Sequence, residues 1–211
     1  SGMYRRTFET QASGQMVDKG DGKPFSTAFS FTRFLVPEIA RQAGVKGPCM
    51  FVDCDFLFLE DVALLLKEVD PEKPISVVRH KFEPNYTSKM DGMAQTIYSR
   101  KLWSSLMVIN HTHPSNYGAS PDRVNIAPGS WLHGFGWLDL EEIGEISEAW
   151  NWLPSHSPTI GSDILSPKAV HFTDGSPQMT PWRNQPYADM WFAELRDFAR
   201  RASSSPMDLV Q

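Results

Sequence analysis

Two aspartates, Asp53 and Asp55, lie one residue apart at the end of a short apolar run, residues 50–52. In an extended chain, residues i and i+2 point to the same face, so both carboxylates can address one site. Like charges that are held close repel, and a carboxylate near apolar side chains is costly unless something compensates it. The pattern therefore indicates either a turn that faces water or a bound cation.

The sequence around this pair favours the cation. A predicted strand ends at the pair and a short amphipathic helix follows, and open α/β sheets collect their ligands at the carboxyl ends of strands. Carboxylate oxygens suit Mg²⁺ or Mn²⁺, and these ions usually share their shell with substrate phosphates. A bare D-x-D also occurs by chance in solvated turns, so the water-facing alternative stays open.

A histidine later in the chain has a comparable position. His171 ends another apolar strand within "AVHFTDGSPQMTPW", and a loop follows in which the backbone can approach an anion closely. A neutral imidazole would complete a mixed oxygen and nitrogen shell of the kind that suits Mn²⁺. The competing interpretation is a hydrogen-bonded core histidine, which is the commoner role at the end of a strand.

Composition limits the classes of function. The 211 residues predict one domain, and the formal charge of −5 argues against a general nucleic-acid binder, because there is no basic excess to neutralise phosphates. The two cysteines make no disulfide framework, which favours a reducing, cytoplasmic setting. No apolar run reaches the ~20 residues that span a bilayer, and no secretory signal opens the sequence.

The pattern of elements predicts an α/β fold, because strands alternate with helices. Strands are expected near residues 50–52, 74–80, 106–109 and 168–171, and helices near 27–45 (kinked or divided at Pro37), 59–69 and 187–202, with a partly helical acidic stretch at 139–153. Residues 1–24 are expected to form a polar loop or weakly ordered arm, residues 25–202 the domain, and residues 203–211 a flexible tail.

Several segments then carry a resemblance to a known family when they are taken in order: "FSFTRFLVPEIA", "MFVDCDFLFLEDVALLL", "KMDGMAQTIYSRKLWSSLMVIN", "WLHGFGWLDLEEIGEISEAWNWL" and "KAVHFTDGSPQMTPW". Together they resemble a bacterial glycosyltransferase of the GT-A type, similar to the retaining family 8 enzymes, over roughly residues 25–192. The resemblance implies a Rossmann-type mixed sheet flanked by helices. It also implies a nucleotide-sugar donor, a divalent cation and a glycan or other hydroxyl acceptor.

The same resemblance implies roles for particular residues. Asp53 and Asp55 match the D-x-D motif and His171 matches the metal histidine, so Mn²⁺ or Mg²⁺ is expected among them. Gly175 lies where the family's loop wraps the diphosphate. Trp182 follows in a Thr-Pro-Trp stretch, whereas the family often has Lys-Pro-Trp there, and this difference puts one phosphate contact in doubt.

The remaining candidate residues lie between these motifs. Lys89 and Asp91 are expected to contact ribose or sugar hydroxyls, with an exposed charged turn as the equal alternative. Ser105 and Asn110 belong to a segment of the kind that family 8 places beside the donor sugar. Asp139 is assigned to the neighbourhood of the anomeric carbon, and Asp139 and Asn110 are the expected catalytic residues.

One departure from the family concerns the beginning of the domain. Enzymes of this type begin with a strand–helix–strand unit that binds the base and the ribose, and such a unit takes ~30 residues. Only the polar arm precedes Phe25, so the domain is expected to be N-terminally short. A shortened domain would expose a sheet edge, which predicts a homo-oligomer that covers this edge.

Three functions are compatible with these observations. The first is a metal-dependent glycosyltransferase, retaining by family likeness. The second is a non-catalytic nucleotide-sugar or glycan-binding remnant of such an enzyme. The third is a metal-dependent phosphohydrolase, which the sequence disfavours because it lacks further acidic clusters that would hold a second ion.

Overall fold

Short strands and helices alternate in the computed structural model, which describes residues 2–25, 27, 30–81, 88–89, 93–94, 100, 102–157 and 166–204, with backbone only at 88–89, 93–94 and 204. The strands are β1 Phe8–Thr10, β2 Met16–Asp18, β3 Pro24–Phe25, β4 Cys49–Val52, β5 Phe56–Phe58, β6 Ile75–Val77, β7 Ser88–Lys89, β8 Met93–Ala94, β9 Leu106–Ile109, β10 Ile143–Glu145 and β11 Ala169–His171. The α-helices are α1 Val36–Gln42, α2 Val62–Glu68, α3 Pro121–Ile126, α4 Gly129–His133 and α5 Ala188–Ser204. Short 3₁₀ helices span Thr32–Leu35, Trp103–Ser105, Pro114–Ala119, Leu140–Glu142, Glu148–Asn151 and Thr180–Trp182.

A four-stranded mixed sheet forms the centre, in the order β10-β6-β9-β4. Strand β9 runs antiparallel to both neighbours, whereas β10 and β6 are parallel. The register pairs Val52 with Leu106 and Val77 with Met107. The carboxyl ends of β4, β6 and β10 and the beginning of β9 therefore meet at one edge, which we call the site edge.

Both faces of this sheet are covered, because successive apolar side chains of a strand point to opposite faces and each set packs in its own cluster. Met107 and Ile109 belong to a core cluster with Phe34 and Phe135, whereas Leu106 and Val108 belong to a second cluster on the other face. The strands accordingly read as continuous apolar runs rather than as alternating ones. The sequence prediction of these strands, and of two helices around Pro37, matches the structure.

The N-terminal residues depart most from the sequence prediction. Strands β1, β2 and β3 form a three-stranded antiparallel sheet where a loop or weakly ordered arm was expected. The expected boundary between residues 24 and 25 falls inside β3. The acidic stretch at 139–153, which was expected to be partly helical, contains two 3₁₀ helices, and strand β10 between them was not expected.

A buried ion pair fastens this N-terminal sheet to the body of the domain. Arg6 Nε donates to Asp18 Oδ1 at 3.1 Å, and the two side chains are only 3% and 2% exposed. Arg6 Nη1 also donates to the carbonyl oxygens of Val124 at 2.9 Å and Ala127 at 2.7 Å. These two carbonyl oxygens lie in the last turn of α3 and at its C-cap, where a helix concentrates partial negative charge. The polar composition of residues 3–24 therefore conceals an ordered, buried anchor.

Across the described part of the chain, no helix is both long enough and apolar enough to cross a membrane.

The buried ion pair generates a stability prediction. Arg6→Leu should lower the free energy of unfolding by about 3–5 kcal/mol, because it leaves the Asp18 carboxylate buried without its countercharge. Urea unfolding followed by circular dichroism measures this change. The matched control is Arg5→Leu, whose ion pair with Asp122 is 62% and 86% exposed; we expect a change below about 1 kcal/mol. Equal losses in the two variants would contradict the assignment of Arg6 as an anchor.

Candidate metal centre

Three potential metal ligands converge at the site edge. Asp53 directly follows β4, Asp55 directly precedes β5, and His171 ends β11. Strands β5 and β11 pair antiparallel with His171 opposite Phe56, which brings the imidazole next to Asp55. One ligand atom from each residue lies within 4.8 Å of the other two. Two carboxylate oxygens and an imidazole nitrogen are a donor set that suits Mg²⁺ or Mn²⁺, so the residues fit the expected cation.

Backbone contacts fix the positions of these ligands. The Asp53 amide donates to the Ser105 carbonyl oxygen at 2.8 Å, which ties the end of β4 to the beginning of β9. The Phe172 amide donates to the Asp55 carbonyl oxygen at 3.0 Å. The ring of Phe56 stacks on the His171 imidazole, with centroids 4.3 Å apart. His171 therefore lies on a paired strand, and Asp53 and Asp55 lie in the short turn between two paired strands.

The sequence analysis missed an arginine that holds the first carboxylate. Arg33 bonds both oxygens of Asp53, at 2.9 Å to Oδ1 and 3.2 Å to Oδ2. Arg33 is itself fixed, because it donates to the carbonyl oxygens of Ser30 at 3.0 Å and Ser104 at 2.8 Å and covers the Phe51 ring. A bidentate pair of this kind sets the orientation of a carboxylate as well as its energy.

The electrostatics of Asp53 reflect opposing contributions. Burial raises the pKa of this carboxyl above its ordinary value; the Arg33 guanidinium opposes the increase and the Asp55 charge adds to it. One guanidinium therefore does not fully compensate two neighbouring carboxylates in this half-buried place. A further positive charge beside Asp53 would stabilise the ionised form.

The His171 imidazole is almost completely buried and is engaged on both sides. Its Nδ1 lies 2.9 Å from Asn151 Oδ1, and its Nε2 lies 3.3 Å from Asp55 Oδ1. Asn151 in turn contacts Ser105 Oγ at 2.9 Å. His171 is thus hydrogen-bonded, as the core interpretation requires, and its second nitrogen also faces the acidic pair.

Gly175 and Trp182 are brought together in the loop that follows β11. A Cβ atom at Gly175 would collide with the Trp182 ring, so only glycine fits this close approach. Gln185 Nε2 donates to the Gly175 carbonyl oxygen at 2.8 Å and ties the loop to the segment before α5. The prediction that these two residues bind a diphosphate stays a prediction.

Two of the expected site residues, Asn110 and Asp139, lie away from the metal ligands. Asn110 follows β9, whose pairing with β4 places it beside Cys49, at the edge opposite the site edge. Asp139 precedes β10, which runs parallel to β6, so it lies at that opposite edge too. Asn110 bonds the Pro71 carbonyl oxygen at 3.1 Å, and Asp139 forms a capping box with Glu142. The roles expected for Asn110 beside the donor sugar and for Asp139 near the anomeric carbon stay predictions, and both residues would have to act from this opposite edge.

Ser105 is buried next to Asp53 and does not face a surface from which it could contact a donor sugar. Its side chain is buried, and its hydroxyl donates to the Leu102 carbonyl oxygen at 2.6 Å. Asp91 and the Lys89 side chain lie outside the described residues, although the Lys89 backbone pairs with Met93. The residues that sequence reasoning missed are Arg33 and His80, together with Asn151, which it noted without giving it a role. Only His80 carries a local signal, a polar side chain at the end of the predicted strand 74–80, whereas Arg33 and Asn151 lie in stretches that were expected to be helical.

Solved structures with a similar chain trace show the class of fold. The chain matches the galactosyltransferase LgtC in complex with donor and acceptor sugar analogues, with a TM-score of 0.52 and 13% identity over 89% of this chain and 73% of LgtC. It matches the bifunctional glycosyltransferase WbbM with a TM-score of 0.50 and 14% identity over 80% of this chain and 38% of WbbM. It spans 42% of GlyE of Streptococcus pneumoniae TIGR4, with a TM-score of 0.49 and 11% identity. The expected GT-A-type fold is thereby confirmed.

A protein of known sequence places the chain more narrowly. It is 43% identical to Protein CDI of Arabidopsis thaliana over 178 residues, which are 84% of this chain and 68% of that protein. The chain belongs to the same family as Protein CDI. No family model matches the sequence.

A buried histidine beside the metal centre generates a pH prediction. His80 follows β6 at the site edge, and burial, with a smaller effect of His171, lowers its pKa from 6.5 to about 4. The unfolded chain therefore takes up a proton between pH 6.5 and 4 that the native state does not bind. Stability from this group is complete above pH 6.5 and is lost as the pH falls towards 4.

The test compares the wild type with His80→Gln by urea unfolding at pH 7.5 and pH 5, without added metal. We expect the wild type to lose about 2 kcal/mol more than the variant between these values. Identical losses would show that His80 does not stay neutral in the native state.

Proposed function

We propose that the protein is a metal-dependent glycosyltransferase, which moves a sugar from a nucleotide-sugar donor to a glycan or other hydroxyl acceptor. The observation that carries this proposal is the cluster of Asp53, Asp55 and His171, which lies at the carboxyl end of a sheet strand in a GT-A-type fold. The fold alone is compatible with many activities, so the proposal depends on this cluster.

The residues have separate tasks in this reaction. Asp53, Asp55 and His171 would hold the cation, and Arg33 keeps Asp53 ionised and oriented. A divalent cation, when bound, neutralises the negative charge that develops on a departing diphosphate. The loop from Phe172 onwards begins beside the same ligands, so it would lie next to the diphosphate. Because the charge is compensated before the bond breaks, the nucleoside diphosphate becomes a better leaving group.

The donor set favours Mn²⁺ over Mg²⁺, because an imidazole nitrogen suits Mn²⁺ better than it suits the smaller, strongly hydrated ion. Gly175 and Trp182 are the proposed contacts of the diphosphate. The donor base, the sugar and the acceptor follow from none of these contacts. Self-association and a bacterial source stay predictions, and the relative that defines the family is a plant protein.

Removal of single carboxylates tests the proposal. Asp53→Asn and Asp55→Asn should each weaken Mn²⁺ binding and lower the release of nucleoside diphosphate from UDP- and GDP-sugars by roughly 10²–10³-fold, since each variant loses a charged ligand. Isothermal titration measures the binding, and a coupled assay measures the release. Glu72→Gln is the control, because this exposed carboxylate precedes β6 at the edge opposite the site edge, and it should change neither value.

The outcomes separate the proposed enzyme from a binding protein. Mn²⁺-dependent binding of a nucleotide sugar without any transfer or release would favour the non-catalytic alternative. Full activity of Asp53→Asn or Asp55→Asn, or activity that survives removal of metal by a chelator, would contradict the proposal.

We also propose that the sugar keeps its anomeric configuration, on the basis of the family 8 resemblance. Proton NMR of the product made from an α-linked UDP-sugar should show an α-linkage at the earliest time point. A β-linked first product would contradict retention and leave metal dependence unaffected.

A further inference from the structure

A directed series of hydrogen bonds runs from the backbone to the candidate metal ligand. It begins at the Leu102 carbonyl oxygen, which only accepts, so the Ser105 hydroxyl must donate its proton there, at 2.6 Å. Leu102 has the left-handed φ of 67°, which is costly for a residue with a Cβ atom. The carbonyl oxygen that accepts this first bond therefore belongs to a strained turn.

The second bond fixes the orientation of a side-chain amide. Ser105 Oγ has already used its proton, so the Asn151 atom that lies 2.9 Å away must be the donor Nδ2. Rotation of the amide by 180° would place Oδ1 against Oγ, with two acceptors facing each other. Asn151 is fully buried, so water cannot relieve such a contact.

The third bond then determines which nitrogen of His171 carries the proton. Asn151 Oδ1 lies 2.9 Å from His171 Nδ1 and only accepts, so the proton of the neutral imidazole is on Nδ1. Nε2 is left with its lone pair, 3.3 Å from Asp55 Oδ1. In the neutral imidazole Nε2 therefore carries the lone pair that could bind a metal ion, whereas a second proton on the ring would let Nε2 donate to Asp55 instead.

Backbone hydrogen bonds also hold the Asn151 and His171 side chains next to each other. The His171 amide donates to the Trp152 carbonyl oxygen at 2.8 Å, and Trp152 bridges to Val170. The residues next to Asn151 and His171 in sequence are therefore themselves paired. The series cannot be broken by a simple side-chain rotation without loss of a buried hydrogen bond.

We propose that Ser105 and Asn151 are positioning residues, which hold His171 as the Nδ1–H tautomer so that Nε2 is its metal-binding atom. The inference rests on the proposed metal-dependent function for its consequence, but the tautomer itself is measurable without metal. Partners of this kind typically contribute 10–100-fold to metal affinity.

The first measurement is long-range ¹H–¹⁵N NMR of metal-free protein labelled with ¹⁵N-histidine. His171 is identified by the signals that disappear in His171→Gln. The wild type should show a protonated Nδ1 and an unprotonated Nε2. In Asn151→Leu, which has nearly the same shape but no acceptor, the proton should move to Nε2, towards Asp55.

The second measurement is the Mn²⁺ dissociation constant by isothermal titration, for the same proteins. Asn151→Leu should weaken binding 10–100-fold. Ser105→Ala should weaken it in the same direction but less, because it frees the amide without touching His171. The matched control is Asn116→Leu, since Asn116 is another fully buried amide, bonded at 2.8 Å to the Pro74 and Asn110 carbonyl oxygens at the edge opposite the site edge. It should destabilise the fold but alter neither the tautomer nor the Mn²⁺ constant.

The outcomes separate this inference from the proposed function. A wild-type Nε2–H tautomer, or Mn²⁺ binding that is unchanged in both Asn151→Leu and Ser105→Ala, overturns the positioning role alone. A wild type that binds no Mn²⁺ at any accessible concentration overturns the proposed metal function and the ligand role of Nε2 with it. If Asn151→Leu does not fold, Ser105→Ala alone decides, and an unchanged tautomer and Mn²⁺ constant in that variant overturn the positioning role.

Discussion

The charge balance around two neighbouring carboxylates determines how the rest of the site is built. Asp53 and Asp55 bring two negative charges into a half-buried place, and Arg33 supplies one positive charge. With a neutral His171, one negative charge remains in excess. A divalent cation would convert this excess into one net positive charge, which matches an anionic diphosphate. The arginine is thus sufficient to let the ligands fold together but insufficient to replace the cation, and this difference allows the same residues to be stable and still bind metal.

Topology brings these groups together from distant parts of the sequence. The antiparallel direction of β9 places the residues before that strand, and not those after it, at the site edge. Arg33 reaches the edge from the 3₁₀ helix before α1, where it bonds the Ser104 carbonyl oxygen. The antiparallel pairing of β5 with β11, two strands that are far apart in sequence, adds His171. Asp53 and Asp55 therefore share the turn between β4 and β5, whereas His171 comes from the separate strand β11, so no single loop determines the geometry.

The sequence predicted the parts of this structure that depend on local pattern. Apolar runs identified the central strands, and the positions of Asp53, Asp55 and His171 at strand ends, together with the family resemblance, identified all three members of the cluster. It could not predict strand direction, so it did not reveal that Asn110 and Asp139 lie at the edge opposite the metal ligands. It also missed Arg33, because a charged residue in an aromatic stretch looks like a solvated exception until its acceptors are known. The polar N-terminal strands were missed because β1 has little apolar periodicity and is held by tertiary contacts.

The anchor at Arg6 has a consequence for the order in which the chain folds. Its partners in α3 and just after it lie 118 and 121 residues further along the chain. A ribosome that adds roughly 5–20 residues per second takes roughly 6–24 s to deliver them. During this time the guanidinium stays hydrated and the first three strands lack the surface on which they pack. Strands β1 to β3 can therefore dock only after α3 has been made, although they are synthesised long before it.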